Sequence, residues 1–199
     1  MNQEIFALRR KAFLDKLRPG SMAVFFAAPH AKRNDDAHYE FRTCSYFYYL
    51  TGVREQEAAA IFMPGTANPY RLFLMPKNPE MEMWEGKRVG VEEGKRVFMA
   101  DQCFSIHEFE KEFREQLRQA DTLYHLLGSF EQHDDLVFRV LKEHRPNPRR
   151  GEKKFLRLEK AQEVLSPMRK VKSEAEVELI RRNCRNTAIA HRKAMEFTK

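Results

Sequence analysis

The sequence predicts an α/β fold with a mixed β-sheet flanked by helices. Short runs of apolar and aromatic residues at 45–51, 57–63 and 70–76 are separated by glycine or proline, a tight spacing typical of neighbouring antiparallel strands. From residue 89 onward the pattern changes, and segments with helical periodicity alternate with short apolar segments. That alternation indicates helices packed on a sheet with some parallel pairing.

The first half of the chain is expected to contain one helix and four strands. Residues 3–17 carry apolar side chains near helical spacing and are followed by a Pro-Gly pair, which predicts an amphipathic helix that ends there. Residues 21–28 are expected to form a buried strand. The aromatic run 45–51 stops at Gly52 and is expected to form a second strand and its turn. The two later apolar runs complete this set.

The second half is expected to alternate helices with strands. The predicted helices lie at residues 89–99, 106–119, 134–144 and 158–165, and the predicted strands at 102–105 and 121–127. Gly94 is expected to be a weak point of the first of these helices. Residues 145–154 have the composition of a loop, because they combine proline, glycine and charge with no apolar residue.

A last helix is predicted to begin at Ser173, because Glu176 follows three residues later in a capping-box pattern. Its apolar positions trace one face over six turns, and that face needs a partner. They are Val177, Ile180, Cys184, Ala188, His191 and Met195.

Length and composition indicate one domain of ordinary size, followed or preceded by additional residues. The chain has 199 residues, 42% of them hydrophobic, and no apolar run approaches the roughly 20 residues of a membrane span. The start of the chain shows no signal-peptide core, so we expect a soluble, cytoplasmic protein with no membrane partner. Three cysteines, an odd number with no C-x-x-C pair, are expected to be free thiols.

The positive charge is unevenly distributed. Residues 1–138 contain 18 lysines and arginines and 21 acidic residues, a net of −3, whereas residues 139–199 contain 18 and 8, a net of +10. Such a basic stretch can bind nucleic acid or another acidic surface. The alternative is that it belongs to a further domain whose acidic metal site balances it.

Catalytic motifs are scarce. The sequence contains no H-E-x-x-H, G-x-S-x-G, P-loop or G-x-G-x-x-G pattern, and the seven histidines are scattered. His133, Asp134 and Asp135 could hold a metal ion. They lie where a helix is expected to begin, however, and acidic residues there favour the helix dipole, so capping is the preferred interpretation.

Three ordered segments carry a more specific signal. Residues 33–58 follow the pattern R-N-x-D-x-x-Y-x-F-R-x-x-S-x-F-x-Y-L-T-G-V-x-E-x-E-A, residues 84–90 read W-E-G-K-R-V-G, and residues 168–180 contain R-K-V-K-S-E-A-E-V. Together they resemble the amino-terminal domain of X-Pro aminopeptidases (aminopeptidase P), in the creatinase/prolidase superfamily, and its entry into the catalytic domain. One departure is Gln56, where the family usually has proline.

The resemblance implies a ribonuclease H-like amino-terminal domain over residues 1–166. Residues 167–199 would then be the linker and first helix of a truncated catalytic domain with the pita-bread fold. In the family that domain holds two divalent metal ions, usually manganese, and removes the residue that precedes a proline at the second position of a peptide. The ligands would lie beyond Lys199, so we expect this chain alone to bind no catalytic metal and to be inactive.

The resemblance also implies two substrate-binding residues, Asp36 and Trp84. In oligomeric members of the family, the corresponding residues reach the substrate site of an adjacent subunit. Trp84 is the only tryptophan and is expected in a loop among polar and methionine residues. The competing interpretations are a turn-capping role for Asp36 and packing of Trp84 on its own domain. Arg42 is expected to pair with Asp36 or Glu57.

Three hypotheses about function remain open on the sequence. The first is the oligomerisation and substrate-access domain of an X-Pro aminopeptidase, and the second is the same domain in an X-Pro dipeptidase (prolidase) or a nonenzymatic relative. The third is a basic nucleic-acid-binding module built on residues 145–172. Sparse aromatic residues and the lack of a known motif count against the third hypothesis.

Overall fold

The computed structural model describes residues 3–145, 147–150 and 157–198. The described part of the chain forms eight α-helices and eight β-strands. The helices are α1 (Gln3–Leu14), α2 (Ser45–Thr51), α3 (Pro79–Glu85), α4 (Gly90–Val97), α5 (Phe109–Leu117), α6 (Glu131–Glu143), α7 (Ala161–Lys170) and α8 (Glu174–Phe197). The strands are β1 (Ser21–Phe26), β2 (Lys32–Asn34), β3 (Ala37–His38), β4 (Ala59–Phe62), β5 (Tyr70–Leu74), β6 (Gln102–Ser105), β7 (Thr122–His125) and β8 (Arg157–Lys160).

Six strands form one mixed sheet in the order β6-β5-β4-β1-β7-β8. Strand β4 runs antiparallel to both of its neighbours, β1 and β5. The β4–β5 pair confirms the pairing predicted between residues 57–63 and 70–76, whereas β1 takes the place of the other expected neighbour, residues 45–51. The pairs β5–β6, β1–β7 and β7–β8 are parallel, as the helix–strand alternation of the second half predicted. Strands β2 and β3 form a separate two-stranded hairpin.

Strand β1 is buried on both faces of the sheet, which explains its unbroken apolar sequence. Met22, Val24 and Phe26 belong to a core that includes apolar residues of α5 and α6. On the opposite face, Phe25 makes edge-to-face contacts with Phe13 of α1 at 5.6 Å and with Phe62 of β4 at 5.7 Å between ring centroids. The sheet therefore carries helices on both sides, as expected.

The strand predicted at residues 45–51 is wrong, because these residues form helix α2. Phe47, Leu50 and Thr51 are fully buried and lie on one helical face, so helical packing outweighs the β propensity of the aromatic residues. Gly52 ends the helix in the left-handed conformation with φ of 72°, and an added Cβ there would lie 2.8 Å from the ring of Phe6.

A buried arginine of α1, Arg10, completes the end of α2. The Arg10 guanidinium donates to the Leu50 carbonyl oxygen at 3.0 Å and to the Met99 carbonyl oxygen at 3.2 Å. It also lies 4.3 Å from the ring centroid of Tyr70. A cation at a helix carboxyl terminus satisfies free carbonyl groups and interacts favourably with the helix dipole.

The helix predicted near residues 158–165 begins later than expected. Residues 157–160 add strand β8 to the edge of the sheet beside β7, and α7 starts at Ala161. The predicted strand 121–127 and helix 134–144 are confirmed as β7 and α6. Of the loop expected at 145–154, residues 148–150 form a 3-10 turn and residues 151–154 lie outside the described residues.

Gly94 is a close-packing position in α4, and the helix predicted around it forms over Gly90–Val97. A Cβ at Gly94 would lie 2.6 Å from Leu74 Cδ1 and 2.8 Å from Cys103 Sγ. Only glycine lets α4 approach strands β5 and β6 this closely.

The chain divides into two compact units, residues 2–165 and residues 166–199. The first contains the sheet. In the second, α8 begins with the predicted capping box, in which the Ser173 amide donates to Glu176 Oε2 at 2.9 Å. The apolar face of α8 is exposed, with Ile180 at 49% and Met195 at 71%. Among the described helices, none is long and apolar enough to cross a membrane.

Replacing Arg10 with methionine is expected to lower the free energy of unfolding by about 2–4 kcal/mol. The change keeps the apolar stem but leaves the Leu50 and Met99 carbonyl oxygens without their charged donor. Lys11→Met is the matched control, since the Lys11–Asp15 pair on the same helix is exposed and is expected to contribute less than about 1 kcal/mol. Urea denaturation of both variants measures the difference, and equal midpoints would contradict the assigned role of Arg10.

Candidate functional site

Asp36 lies at the tip of the β2–β3 hairpin. Asn34 pairs with Ala37, so Asp35 and Asp36 are the two turn residues of the hairpin. The whole hairpin is exposed, and the Asp36 carboxylate makes no hydrogen bond or ion pair with any described residue. Its charge is therefore free to meet a group outside this chain.

Trp84 lies near the end of α3, a seven-residue helix, where the sequence predicted a loop. Helix α3 begins at Asn78, whose side-chain oxygen accepts from the amides of Glu80 at 3.1 Å and Met81 at 3.4 Å. Pro79 occupies the first helical position, where its fixed φ suits a helix start.

The side chains of α3 form an exposed apolar patch, which we call the Met-Trp patch and which consists of Met81, Met83 and Trp84. Their exposed fractions are 47%, 80% and 85%. An indole this exposed does not pack on its own domain. Large exposed apolar groups of this kind are typical of surfaces that contact a ligand or another subunit.

The two predicted site residues, Asp36 and Trp84, do not contact each other in the part of this chain that the structure describes. Among the described residues, no hydrogen bond, ion pair or ring contact connects Asp36 with Trp84. The pairing expected for Arg42 is also not found. Arg42 is exposed, and the described partner of Glu57 is Arg88, at 3.8 Å.

The segment after Trp84 is held by residues that sequence reasoning did not single out as functional. The amide of Val89 donates to Glu55 Oε1 at 2.7 Å, and the amide of Arg88 donates to Glu82 Oε1 at 3.2 Å. Glu55 and Arg88 belong to two of the ordered motifs, so the motifs themselves were the available signal. Nothing in the periodicity of either segment indicates that they meet.

Of the residues considered as a metal site or a helix cap, Asp134 lies in the first turn of α6 and bonds to the preceding strand and loop, while α6 itself has no side-chain capping bond. His125 Nε2 and Asp134 Oδ1 are 2.8 Å apart, and Asp134 Oδ2 accepts from the amide of Gly128 at 2.9 Å. Burial lowers the pKa of His125, although its contact with Asp134 acts in the opposite direction. Burial, followed by the nearby charge of His125, lowers the pKa of His133 to about 4, and its ring stacks on Phe26 at 4.5 Å.

A cavity of about 600 Å³ lies beyond the carboxyl ends of β1, β5 and β6. This is the edge at which open α/β sheets bind ligands. Its inner surface is more apolar than polar, and three of its polar side chains have partners among the described residues. Glu57 pairs with Arg88, His30 with Gln56, and Glu110 with Arg139 at 2.9 Å. The cavity can therefore accept an apolar group beside the imidazole rings of His107 and His133.

The described residues contain no group of three or more histidine, cysteine, aspartate or glutamate side chains that could hold a metal ion. A two-metal site requires such a group. The residues that are present here therefore do not fit the metal centre implied by the sequence resemblance.

Comparison with protein families identifies the class of protein. The family model described as "Aminopeptidase P, N-terminal domain" matches residues 6–124. The chain belongs to this family and has its mixed sheet flanked by helices.

Relatives from bacteria match nearly the whole chain. It is 30% identical to the Xaa-Pro aminopeptidase of Escherichia coli (strain K12) over 198 residues, which cover 98% of the chain and 45% of that protein. The structure of Pseudomonas aeruginosa aminopeptidase PepP matches with a TM-score of 0.93 and 31% identity, over 98% of this chain and 45% of that chain. A zinc-substituted E. coli aminopeptidase P in complex with product matches with a TM-score of 0.89 and 28% identity, over 96% and 44%. The chain thus spans somewhat less than half the length of these relatives.

Stability is expected to fall between about pH 7 and about pH 5, and His133 is expected to supply part of that slope. Its pKa is about 4 in the folded chain and about 6.5 in an unfolded one, so the unfolded state binds the proton more tightly. The stabilising contribution is fully present above about pH 6.5 and is lost as the pH falls toward 4.

The measurement is the thermal midpoint at both pH values for the parent chain and His133→Gln, which has no titrating ring. The variant is expected to show a smaller midpoint difference between the two pH values. His107→Gln, at an exposed position, is the control and should keep the parent slope. An unchanged slope in His133→Gln would show that His133 does not couple folding to pH.

Proposed function

We propose that this chain is the amino-terminal part of a metal-dependent X-Pro aminopeptidase, a hydrolase that removes the first residue of a peptide whose second residue is proline. The observation that carries the proposal is the match over 98% of the chain to proteins named Xaa-Pro aminopeptidase or aminopeptidase P. In this proposal, residues 1–166 form the amino-terminal domain. Residues 167–199 form the linker and first helix of the catalytic domain.

The catalytic metal ions belong to another part of the complete protein in this proposal. A zinc-substituted relative supports metal dependence, and we propose two divalent ions, with manganese as the native metal. The described residues of this chain lack a suitable ligand group, so their contribution is to binding and access. The +10 stretch is then a junction to a domain with an acidic metal site rather than a nucleic-acid groove.

Asp36 and Trp84 are the residues of this chain that we assign to the substrate. Both lie on exposed segments outside the central sheet, and neither side chain is part of the hydrophobic core. An indole face offers an apolar contact of the right shape for a proline ring. The Asp36 carboxylate can attract the ammonium group at the amino terminus of a peptide.

These two residues are proposed to act on a neighbouring subunit of a homo-oligomer. The support is the free Asp36 carboxylate and the exposed Met-Trp patch, which have no described partner within their own chain. We propose a cytoplasmic location for the complete protein.

In the complete peptidase, Trp84→Ala is expected to lower kcat/KM for X-Pro peptides. The loss should be about 1–3 kcal/mol in transition-state terms if the ring packs on the substrate, with little change in stability. Phe138→Ala is the control, since Phe138 is 49% exposed on α6, away from the assigned residues. Unchanged turnover in Trp84→Ala would remove the substrate role, and a large loss of stability would show that Trp84 is structural.

Nucleic-acid binding is expected to be weak and independent of sequence. The basic stretch can contact phosphates, but such contacts weaken as salt rises. An electrophoretic mobility shift assay at about 150 mM salt, repeated at higher salt, measures this. A tight shift that depends on sequence would favour the nucleic-acid hypothesis over the peptidase hypothesis.

A further inference from the structure

Helix α4 receives its amino-terminal cap from a distant segment. The residue at its N-cap position is Val89, which has no side-chain oxygen and makes no side-chain capping bond. Glu55 supplies the missing acceptor from 34 residues earlier in the chain, through the 2.7 Å bond from the Val89 amide to Oε1. A carboxylate here satisfies a free amide and complements the positive end of the helix dipole.

The link between α3 and α4 is held at further points. The amide of Arg88 donates to Glu82 Oε1 at 3.2 Å, and the Arg88 guanidinium lies 3.8 Å from Glu57 Oε2 with only 12% of the side chain exposed. At Gly90, where φ is 73°, an added Cβ would lie 2.7 Å from Lys77 Cγ. The backbone that follows Trp84 therefore has little freedom to move as a unit.

Trp84 depends on this link for its orientation. The ring is 85% exposed, so packing of the ring itself does not fix it. Helix α3 has seven residues, and a helix this short is marginal without support at its ends. Asn78 supports the first end through its side-chain oxygen, and the link to α4 supports the second.

We propose that Glu55 is the positioning residue for Trp84. By capping α4 it fixes the link that ends α3, and thereby holds the backbone that carries the exposed indole. Glu57 reinforces the same link through Arg88. The effect of Glu55 on turnover rests on the proposed function of Trp84, whereas its effect on the order of the α3–α4 segment does not.

A purely structural role for Glu55 gives a different expectation. Glu55 is half-buried. Burial raises the pKa of the Cys103 thiol, a hydrogen bond with the Phe104 backbone lowers it, and the charge of Glu55 raises it by a smaller amount than burial does. If Glu55 only supported the core, its loss would weaken the whole sheet uniformly. If it positions Trp84, the loss is local to residues 79–92.

Amide hydrogen exchange and the fluorescence of the only tryptophan test the local effect in the 199-residue chain. In Glu55→Ala, amides of residues 86–92 should exchange about 2- to 30-fold faster, the range that loss of a helix N-cap produces. The fluorescence anisotropy of Trp84 should decay to a lower final value, because the indole moves over a wider range. Amide exchange in β1 and β4 should stay unchanged.

Two further variants sharpen the test. Glu55→Gln keeps an oxygen acceptor but loses the charge, so its exchange should lie between Glu55→Ala and the parent; it also keeps the test informative if Glu55→Ala folds poorly. Glu93→Ala is the matched control, because it removes a carboxylate of α4 whose 2.7 Å ion pair with Lys77 is exposed. It should leave the anisotropy of Trp84 unchanged.

A turnover measurement in the complete peptidase separates this inference from the proposed function. Glu55→Ala should lower kcat/KM in the parent background but not in the Trp84→Ala background, since both changes act through one ring. If Trp84→Ala has no effect, the proposed substrate role fails and the exchange data still decide the role of Glu55. Exchange at parent rates in residues 86–92, or acceleration spread evenly over the sheet, would overturn the inference.

Discussion

The burial of β1 on both faces is the constraint on which this structure depends. All six residues of the strand are buried, so helices must cover both sides of the sheet. Polar and charged side chains are therefore found at strand ends, at helix ends and in the connections between these elements. Both residues assigned to substrate binding lie on such connections, Asp36 on a hairpin after β1 and Trp84 on a short helix after β5. The hairpin and the short helix are thus attached to the core, but their exposed side chains do not contribute to it.

Helix ends in this fold are completed by side chains that are remote in sequence. Arg10 reaches the carboxyl end of α2 and Glu55 the amino end of α4, and each has the charge that complements the helix dipole. Neither bond comes from the helix itself, since Arg10 belongs to α1 and Val89, at the start of α4, makes no side-chain capping bond. Tertiary structure and helix formation are therefore coupled, and removal of one remote side chain weakens an element far along the chain.

The sequence predicted those elements whose burial matches their local pattern. Strands β1, β4 and β5 are apolar runs between glycine and proline breaks, and the antiparallel pairing of β4 with β5 was expected from their tight spacing. Helix α2 was missed because its aromatic residues favour strands locally, while α1 and the bonds from its arginines stabilise a helix. For the site, the family motifs supplied Asp36 and Trp84. The Glu55–Val89 bond left no trace in periodicity, since a single contact across 34 residues alters no pattern.

The ordering of the α3–α4 segment has no explanation within the core of this chain. Holding a connection in one conformation costs conformational entropy, and apolar burial is the usual compensation. At α3 the tryptophan and Met83 stay almost fully exposed, so burial does not offset that cost here. Instead the segment relies on carboxylates at 2.7 and 3.2 Å from backbone amides and on two glycines with positive φ. A segment with an ordered backbone and exposed side chains suits contact with something outside the chain, because an ordered backbone loses less entropy when it binds.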